Sequence, residues 1–336
     1  MYKLLVVIPN WNGSAHLKEC LDSLSEQAIK HKVLVVDNGS TDNSLELLKK
    51  YPEVGVIRNN TNKGFSGGIN PGFKFAIEEN YTYAATLNND AKADTEWLNS
   101  LVKCLEKNDS VGIAASKILD SEGKFLDSTG EFYTLWGLPF PRGRGESNLD
   151  KYDKQTDIFA ASGGASLYRV SMLEEIGLFD EDFFAYYEDV DLSFRAQLAG
   201  WKVRFVPDAV VYHQIGGTSG KMKGFTTYQT MKNLPLLLQK NVPRKYMYRI
   251  GWRFTLTHVL FYLRAISRGQ FWIATKGDFK GTLLLFSGAK KRRVIQKAKK
   301  VSDEYIWDMI IHDLPPNAHA LRKLRSYCWK LTRKKV

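Results

Sequence analysis

The sequence predicts an α/β fold with a doubly wound, mostly parallel sheet. Short β-branched runs alternate with amphipathic runs along the first half of the chain, and polar residues directly follow each predicted strand. The charge also shifts along the chain. Residues 1–208 carry 22 Lys and Arg against 31 Asp and Glu, whereas residues 209–336 carry 26 against 5. We therefore expect an α/β domain over residues 1–221 and a helical, basic region over residues 222–336.

Strands and helices are expected to alternate in order. The first strands are predicted at residues 3–8, 32–37, 54–59, 83–90 and 111–116. The helices between them are predicted near residues 14–24, 40–50, 66–79 and 94–107. Ser14 is the expected N-cap of the first helix, and the third is expected to continue through Pro71. Such alternation is typical of parallel strands joined by crossover helices.

The second half of the domain begins with a long excursion. Residues 117–158 are rich in Gly, Pro and charge, which is typical of a functional loop or flap. Regular structure is predicted again at residues 159–169, in a short helix at 171–177, in a helix that begins in FFAYYEDVDLSFR (183–195), and in strands at 201–207 and 209–213. From about residue 222 the pattern is helical.

Polar residues cluster directly after four predicted strands. The clusters are Asn10-Trp11-Asn12, Asp37-Asn38-Gly39-Ser40, Asn59 with Asn62-Lys63-Gly64, and Asn88-Asn89-Asp90. One cluster alone is ordinary turn chemistry. Four in succession predict one polar crevice, because ligands gather at the carboxyl ends of parallel strands. The absence of GxGxxG and GxxxxGK[ST] argues against a dinucleotide dehydrogenase and a P-loop ATPase.

Composition restricts location and partners. Cys20, Cys104 and Cys328 are far apart and lack metal-ligand spacing, so a reducing cytoplasm is expected. The start lacks a basic n-region and a signal peptide's longer apolar run, and no apolar run reaches the ~18 residues of a spanning helix. The basic runs 290–300 and 331–336 indicate an anionic partner, either lipid headgroups or nucleic acid. Aromatic residues beside Lys and Arg favour helices on a membrane surface over a helix pair packed on the body.

Six motifs occur in order over residues 4–220. They are VVIPNWNG, VVDNGSTDNS, NKGFSGGIN, LNND, SGGASLYR…EEIGLFDEDFFAYYEDVDLSFRAQLAGWKV and VYHQIGGTSG. Their order and spacing resemble the family-2 inverting glycosyltransferases with a GT-A fold, and among them the rhamnosyltransferase-like branch. The resemblance implies a catalytic domain over residues 1–221 with a Rossmann-like nucleotide-binding half, followed by a membrane-associating extension over residues 222–336.

The resemblance implies a nucleotide site at the first four strand ends. Asp37 is similar in position to an aspartate that accepts a hydrogen bond from N3–H of uracil or thymine. Lys63 is expected to offset phosphate charge. The other nucleotide-binding residues that the resemblance implies are Pro9, Asn10, Asn12, Asn38, Gly64, Asn88 and Asn89.

LNND stands where the family has its DxD-type metal motif. Asn88 replaces the first acidic residue, so Asp90 is the only carboxylate of the motif. His213 is similar to a histidine that completes the metal site. The cofactor implied is a divalent cation, Mn²⁺ or Mg²⁺, which would stabilise a diphosphate leaving group. If these side chains do not bind a metal, His213 would be a buried histidine at a strand end and Asp90 a residue that caps a helix.

The acidic cluster of FFAYYEDVDLSFR is resolved by the same resemblance. Inversion by direct displacement needs one base, and the family's base corresponds to Asp189. Asp191 and Arg195 are spaced for an ion pair on one helix face. The alternative is a helix N-terminus enriched in acids by the macrodipole. The expected acceptor- and sugar-binding residues are Glu188, Ser162, Gly163 and Gly164.

These expectations lead to a metal-dependent, inverting hexosyltransferase of cell-surface polysaccharide synthesis. It would move a sugar from a dTDP or UDP donor to a hydroxyl of a glycan or lipid-linked acceptor, and rhamnose is the sugar that the resemblance favours. Galactofuranose, N-acetylglucosamine or glucose from UDP are alternatives. A sugar-nucleotide nucleotidyltransferase is disfavoured because no Gly-rich loop with Arg and Lys follows the first strand. A non-catalytic membrane-binding module is disfavoured because Asp90 and Asp189 are present.

The expected location is the cytoplasm, peripheral on the inner face of the cell membrane. An anionic membrane surface is the expected partner of the basic C-terminal region. Nucleic acid is not expected there, because no recognised binding motif accompanies the charge. A homodimer is left open.

Overall fold

The structure is a computed structural model that describes residues 2–147, 149–214 and 222–314. The strands are β1 Leu4–Asn10, β2 Lys32–Asp37, β3 Gly55–Arg58, β4 Tyr83–Leu87, β5 Ala91–Ala93, β6 Val111–Asp120, β7 Leu126–Ser128, β8 Glu131–Tyr133, β9 Pro139–Pro141, β10 Thr156–Ile158, β11 Ala165–Arg169 and β12 Lys202–His213. The helices are α1 Ser14–Ser25, α2 Ser44–Leu48, α3 Gly64–Glu78, α4 Trp97–Glu106, α5 Val170–Ile176, α6 Glu188–Leu198, α7 Phe225–Asn241, α8 Arg244–Ser267, α9 Phe271–Lys297 and α10 Asp303–Met309. The end of the VYHQIGGTSG motif, Cys328 and the basic run 331–336 lie outside the described residues.

One mixed sheet of ten strands carries the fold. Its order is β10-β12-β6-β11-β4-β1-β2-β3, with β5 paired to β12 and β7 to β6. The half from β4 to β3 is parallel, as predicted. The prediction of a mostly parallel sheet is wrong for the sheet as a whole, because β11 runs antiparallel to both β4 and β6. The chain reaches β11 through the long excursion rather than through a single crossover helix.

Helices cover both faces of the sheet, as a doubly wound fold requires. The apolar face of α1, with Leu17 and Leu21, packs with α4 in one core layer. Ile69 and Phe73 of α3 pack with α5 and α6 in the other layer. Helix α3 continues through Pro71, as expected. The strand ends between these two layers are therefore held by packing on either side.

Two local predictions are wrong. Ser14 is the first residue of α1 and makes no side-chain cap; instead, its N–H donates to Oδ2 of Asp42 at 2.9 Å. The two strands predicted at 201–213 are one strand, β12, whose pairing with β6 shifts between Val206 and Val210. Pro207 lies in that interruption, where the missing N–H of a proline breaks no ladder bond.

Helix α7 joins the C-terminal helices to the α/β body. It packs in a third core cluster together with α6, α8 and α10. The predicted ion pair of Asp191 with Arg195 is confirmed at 2.9 Å, and Nζ of the buried Lys240 lies 2.8 Å from the other oxygen of Asp191. Both partners of the second pair are almost fully buried, so this ion pair links α7 to α6 within the interior.

Exposed apolar side chains concentrate on α8 and α9. Of the fifteen large hydrophobic side chains that are exposed among the described residues, thirteen lie between Tyr248 and Val294. Those of α8 recur every three or four residues from Tyr248 to Ile266, so they form one stripe along that helix. None of the described helices combines the length and apolar character needed to cross a bilayer.

Candidate active site

A cavity of about 700 Å³ lies at the carboxyl ends of β1, β2 and β4. The prediction that the polar strand ends form one crevice is confirmed, because Asn10, Asn38, Asn62 and Asn89 all line this cavity. The other predicted site residues that line it are Pro9, Gly64, Asn88, Asp90, Ser162, Gly163, Gly164, Glu188, Asp189 and His213. Asn12, Asp37 and Lys63 are not among its lining residues.

The three predicted residues outside the lining support the loops behind it. Asp37 is 1% exposed, and its carboxylate accepts from Nδ2 of Asn10 at 3.3 Å and from the Ser40 N–H at 3.2 Å. Asn12 accepts from the Thr41 N–H at 2.7 Å. Lys63 is exposed immediately before α3, and its N–H donates to Asn38. Asp37 therefore orients Asn10, which faces the cavity.

Asparagine side chains fix the loops around the cavity floor. Nδ2 of Asn89 donates to Oδ1 of Asn10 at 2.8 Å, which ties the end of β4 to the end of β1. Asn38 donates to the carbonyl of Gly64 at 2.8 Å. Gly64 has φ +72, and a Cβ there would lie 2.2 Å from the carbonyl oxygen of Phe184. Only glycine allows this approach, which brings the loop after β3 against the loop before α6.

Asp90 and His213 meet at one end of the cavity. β12 pairs antiparallel with β5, and His213 stands opposite Ala91, the residue after Asp90. Nε2 of His213 lies 3.2 Å from Oδ1 of Asp90, and Nδ1 lies 2.9 Å from Oδ2 of Asp127. Burial opposes a charge on His213, but its hydrogen bonds to Asp127 and Asp90 outweigh burial and raise its pKa to about 9.

The same pair of side chains suits a divalent cation. Among the described residues, no set of three or more His, Cys, Asp and Glu side chains is placed to hold a metal ion. Asp90 supplies a hard oxygen, and His213 would supply an imidazole nitrogen 3.2 Å away once a cation displaces the ring proton. Cations at phosphate sites commonly take only one or two protein ligands and complete their shell with phosphate oxygens and water. The donor set therefore fits a cation that is shared with a diphosphate.

Asp189 is held in the first turn of α6 with its carboxylate facing the cavity. Oδ2 accepts from the Gly163 N–H at 2.9 Å, and Oδ1 accepts from the Val190 N–H at 2.8 Å. Burial raises the pKa of Asp189, and these backbone donors oppose that rise. A Cβ on Gly163 would lie 3.0 Å from the Phe65 ring and 3.3 Å from the Asp189 side chain. The glycine thus lets the strand end approach the carboxylate closely.

Glu188 lies beside Asp189 but in a different environment. It is 5% exposed, and its Oε2 has no hydrogen-bond partner among the described residues. Burial and the adjacent Asp189 raise its pKa well above the ordinary range. Of two neighbouring carboxyls in one wall, Glu188 is therefore the one that keeps its proton most readily.

The loop that precedes Asp189 is strained and held from α7. Phe184, Tyr186 and Tyr187 have φ values of +64, +69 and +72, a region that non-glycine residues rarely adopt. Nδ2 of the buried Asn233 donates to the carbonyls of Phe183, Ala185 and Tyr186 at 3.0, 2.8 and 2.8 Å. Such conformations persist where surrounding contacts enforce them. Asn233 thus fixes the start of α6.

The sequence analysis missed three charged residues of the site: Asp127, Glu131 and Arg144. All three line the cavity and come from the excursion. Arg144 pairs with Asp127 at 2.6 Å. Burial and the nearby Asp189 raise the pKa of Glu131, which Arg144 opposes. No periodic pattern in the sequence of the excursion indicates these residues.

Family models match most of the chain. The model of Glycosyl transferase family 2 matches residues 5–177, and that of Glycosyl transferase family group 2 matches residues 151–277. Together they cover every element that lines the cavity, from β1 to α8.

Relatives and solved structures agree with these matches. The N-acetylglucosaminyl-diphospho-decaprenol L-rhamnosyltransferase of Mycobacterium tuberculosis is 27% identical over 243 residues, which is 65% of this chain and 78% of the relative. S. aureus TarS 1-349 in complex with UDP-GlcNAc has a TM-score of 0.56 at 17% identity, covering 93% of this chain and 94% of that one. GalNAc-T7 with UDP, GalNAc and Mn²⁺ has a TM-score of 0.58 at 18% identity, over 74% of this chain and half (50%) of that one.

Proposed function

This chain belongs to glycosyl transferase family 2, and we propose that it is an inverting transferase that moves a sugar from a nucleoside diphosphate to an acceptor hydroxyl. The family prediction is confirmed, and the α/β, GT-A-like fold with a mixed sheet agrees with it. The observation that carries the finer proposal is the geometry of Asp189. This carboxylate faces the cavity opposite the polar strand ends and is held by two backbone N–H groups.

Asp189 acts as the base in a single displacement. The acceptor hydroxyl oxygen attacks the anomeric carbon of the donor sugar, and its proton passes to the Asp189 carboxylate. The new glycosidic bond forms while the bond from the anomeric carbon to the diphosphate oxygen breaks, so the configuration inverts and the nucleoside diphosphate leaves. The raised pKa of Asp189 favours acceptance of that proton. Glu188, Ser162, Gly163 and Gly164 would contact the sugar or the acceptor.

Asp90 and His213 would hold the divalent cation, Mn²⁺ or Mg²⁺. A bound cation would neutralise charge on the leaving diphosphate. The charge of the cavity supports this assignment. Asp90, Asp127 and Asp189 line the cavity with Arg144, and once His213 is neutral their net negative charge would repel a bare diphosphate. Asp127 would keep the His213 imidazole oriented toward the cation.

The nucleotide would lie along the strand ends. Asn10, Asn38, Asn88 and Asn89 are the polar lining there, with Pro9 and Gly64 beside them. Asp37 and Asn12 support these residues from behind, and Lys63 is exposed at the rim, so a direct contact of Asp37 with the base remains a prediction. For the sugar we propose rhamnose from a dTDP or UDP donor, by similarity to the rhamnosyltransferase relative. Galactofuranose, N-acetylglucosamine or glucose from UDP are the alternatives.

The acceptor we propose is a lipid-linked glycan of cell-surface polysaccharide synthesis, which the rhamnosyltransferase relative supports by its name. The exposed apolar stripe of α8 and the Lys and Arg residues around it suit the interface of an anionic membrane. A nucleic-acid partner would not require thirteen exposed apolar side chains in that region. The proposed location is therefore peripheral, on the cytoplasmic face of the cell membrane.

A donor screen tests the proposed function. The melting temperature of the protein is measured with dTDP-rhamnose, UDP-sugars and GDP-mannose, each with Mn²⁺, with Mg²⁺ and with chelator. We expect at least one dTDP- or UDP-sugar to raise it, and to do so more strongly with the cation. Transfer from that donor to a lipid-linked acceptor is then followed by mass spectrometry. If no nucleoside diphosphate sugar stabilises the protein, the transferase proposal fails.

A further inference from the structure

A second, smaller cavity adjoins the catalytic one. Its volume is about 230 Å³, and it lies between α7 and α8. Tyr187, Thr226 and Phe261 line both cavities, so the two are continuous at these side chains. We call the smaller cavity the arginine groove, because Arg264 and Arg268 form part of its wall. Tyr187 also lies two residues before the proposed base, Asp189.

The two arginines are placed for an anion. They are one helical turn apart at the end of α8, and both are exposed. Across residues 2–147, 149–214 and 222–314, neither guanidinium makes an ion pair or a hydrogen bond, whereas the lysines Lys240 and Lys291 are both paired with Asp180. Guanidinium groups bind phosphate oxygens in pairs of parallel hydrogen bonds, and a doubly charged anion between two of them would relieve their mutual repulsion.

The wall of the groove on α7 carries three threonine hydroxyls beside Met231. The hydroxyl of Thr230 lies 3.4 Å from that of Tyr187, and the hydroxyl of Thr227 contacts the side chain of Gln270. Thr226, Thr227 and Thr230 of α7 therefore line the groove together with Arg264 and Arg268 of α8. Hydroxyls and guanidinium groups together are a typical lining for phosphate.

Apolar side chains adjoin the groove on the solvent side. Leu263 and Ile266, next to the arginines on α8, are 54% and 42% exposed. Trp272, in the first turn of α9 after the connecting turn, is 71% exposed. A groove that holds an anion thus adjoins a surface that suits hydrocarbon.

We propose that the arginine groove binds the diphosphate of a lipid-linked acceptor, with Arg264 and Arg268 as its ligands. Such an acceptor has three parts in fixed order: a sugar, a diphosphate and a hydrocarbon chain. The protein offers matching surfaces in the same order, namely the cavity with Asp189, the groove, and the exposed apolar residues of α8 and α9. The proposal rests on the proposed function for the nature of the acceptor, and it assigns a site separate from that of the donor diphosphate.

The test compares farnesyl diphosphate with farnesol as probes in detergent solution. The double variant Arg264→Gln/Arg268→Gln is matched by Arg249→Gln/Arg253→Gln, which removes the same charge at the same spacing from α8 outside the groove. We expect the groove variant to bind farnesyl diphosphate at least about tenfold more weakly than the wild type. Farnesol should bind both variants alike. The apparent KM for a lipid-diphosphate-linked acceptor should rise similarly in the groove variant only, with the KM for the donor unchanged.

The outcomes separate the two proposals. The groove assignment would be overturned if the groove variant bound farnesyl diphosphate as tightly as the wild type. It would also be overturned if the groove and control variants lost the same affinity, which would indicate a general effect of surface charge. If the groove variant alone loses binding, the assignment stands even when no nucleotide sugar stabilises the protein. That last result would reject the transferase proposal and leave a site for prenyl diphosphates.

Discussion

Oδ2 of Asp127 accepts a 2.9 Å hydrogen bond from Nδ1 of His213. Because that contact occupies Nδ1, the other ring nitrogen is turned toward Asp90, 3.2 Å away. Burial favours the neutral form of Asp127, but its hydrogen bond with His213 and the nearby Arg144 outweigh burial and keep the pKa of Asp127 below the ordinary value. Asp127 thus stays ionised, and it is placed to orient the histidine that we propose as a ligand of the cation.

Loss of Asp127 should therefore weaken the metal site. We expect Asp127→Asn to lower the affinity for Mn²⁺ by about 10- to 100-fold, measured by electron paramagnetic resonance in the presence of a nucleoside diphosphate. Asp157→Asn is the control, since Asp157 belongs to the same excursion but pairs with Arg204 away from the cavity. Unchanged Mn²⁺ affinity in Asp127→Asn would mean that the contact between Asp127 and His213 does not support the cation site.

Replacement of the proposed base should separate catalysis from binding. Asp189→Asn keeps the size of the side chain and one of its two backbone hydrogen bonds, since an amide has a single accepting oxygen, and it cannot act as the base. We expect transfer to fall by about 10²- to 10⁴-fold, the range typical of a lost general base, while the melting-temperature shift with the donor stays nearly unchanged. If the donor shift disappears together with transfer, Asp189 is a donor or metal contact instead.

The pH dependence of transfer activity should report the pKa of Asp189. Asp189 must be ionised to act as a base, and burial raises its pKa. Activity should therefore rise with pH through a value above the ~3.9 of an ordinary aspartate, and it should be lost below that value as the base is protonated. Glu188→Gln should leave this acidic limb nearly unchanged, because burial and Asp189 keep Glu188 protonated at pH values where Asp189 loses its proton. A profile that is flat down to about pH 4 would contradict the assignment of Asp189 as the base.

The sequence predicts the part of the site that follows from parallel strands. Asn10 is the last residue of β1, and Asn38 and Asn89 follow β2 and β4 within two residues, so these strand ends meet at one edge of the sheet. Asp127 and Glu131 were not predictable in this way. They lie on strands of three residues, and β7 reaches the site only by antiparallel pairing with β6. A strand so short has no periodicity of its own, so its partner is fixed by tertiary packing.

The same limit applies to the loop before Asp189. A run of aromatic residues gives no sign that three of them adopt left-handed backbone conformations. The donor that stabilises them, Asn233, is about 50 residues further along the chain, on α7. Similarly, Ser14 is a residue type that commonly caps helices, but here its own N–H donates to the side chain of Asp42 from another loop. Local propensity is overridden where a distant side chain supplies the hydrogen bond.

Asn233 should be a positioning residue for catalysis. Asn233→Ala removes three hydrogen bonds to the strained loop, so we expect it to lower kcat and to destabilise the protein by about 1–3 kcal/mol. Asn241→Ala is the matched control, because Asn241 is equally buried on α7 but bonds Asp191 and Leu237 instead. Both variants should lose stability in urea unfolding, and only Asn233→Ala should lose kcat well below its melting temperature. An equal loss of kcat in both would reduce Asn233 to a stabilising residue.

The apolar side chains of α9 should contribute to membrane binding. Phe286 is 76% exposed on α9, and its transfer into a lipid interface would bury apolar area worth about 1.5 kcal/mol or more. We expect Phe286→Ser to weaken sedimentation with phosphatidylglycerol vesicles about tenfold, and added salt to weaken both proteins. Phe125→Ser is the control, because Phe125 is exposed far from α9 in the sequence, beside β7. If both variants bind vesicles like the wild type, Phe286 does not face the membrane.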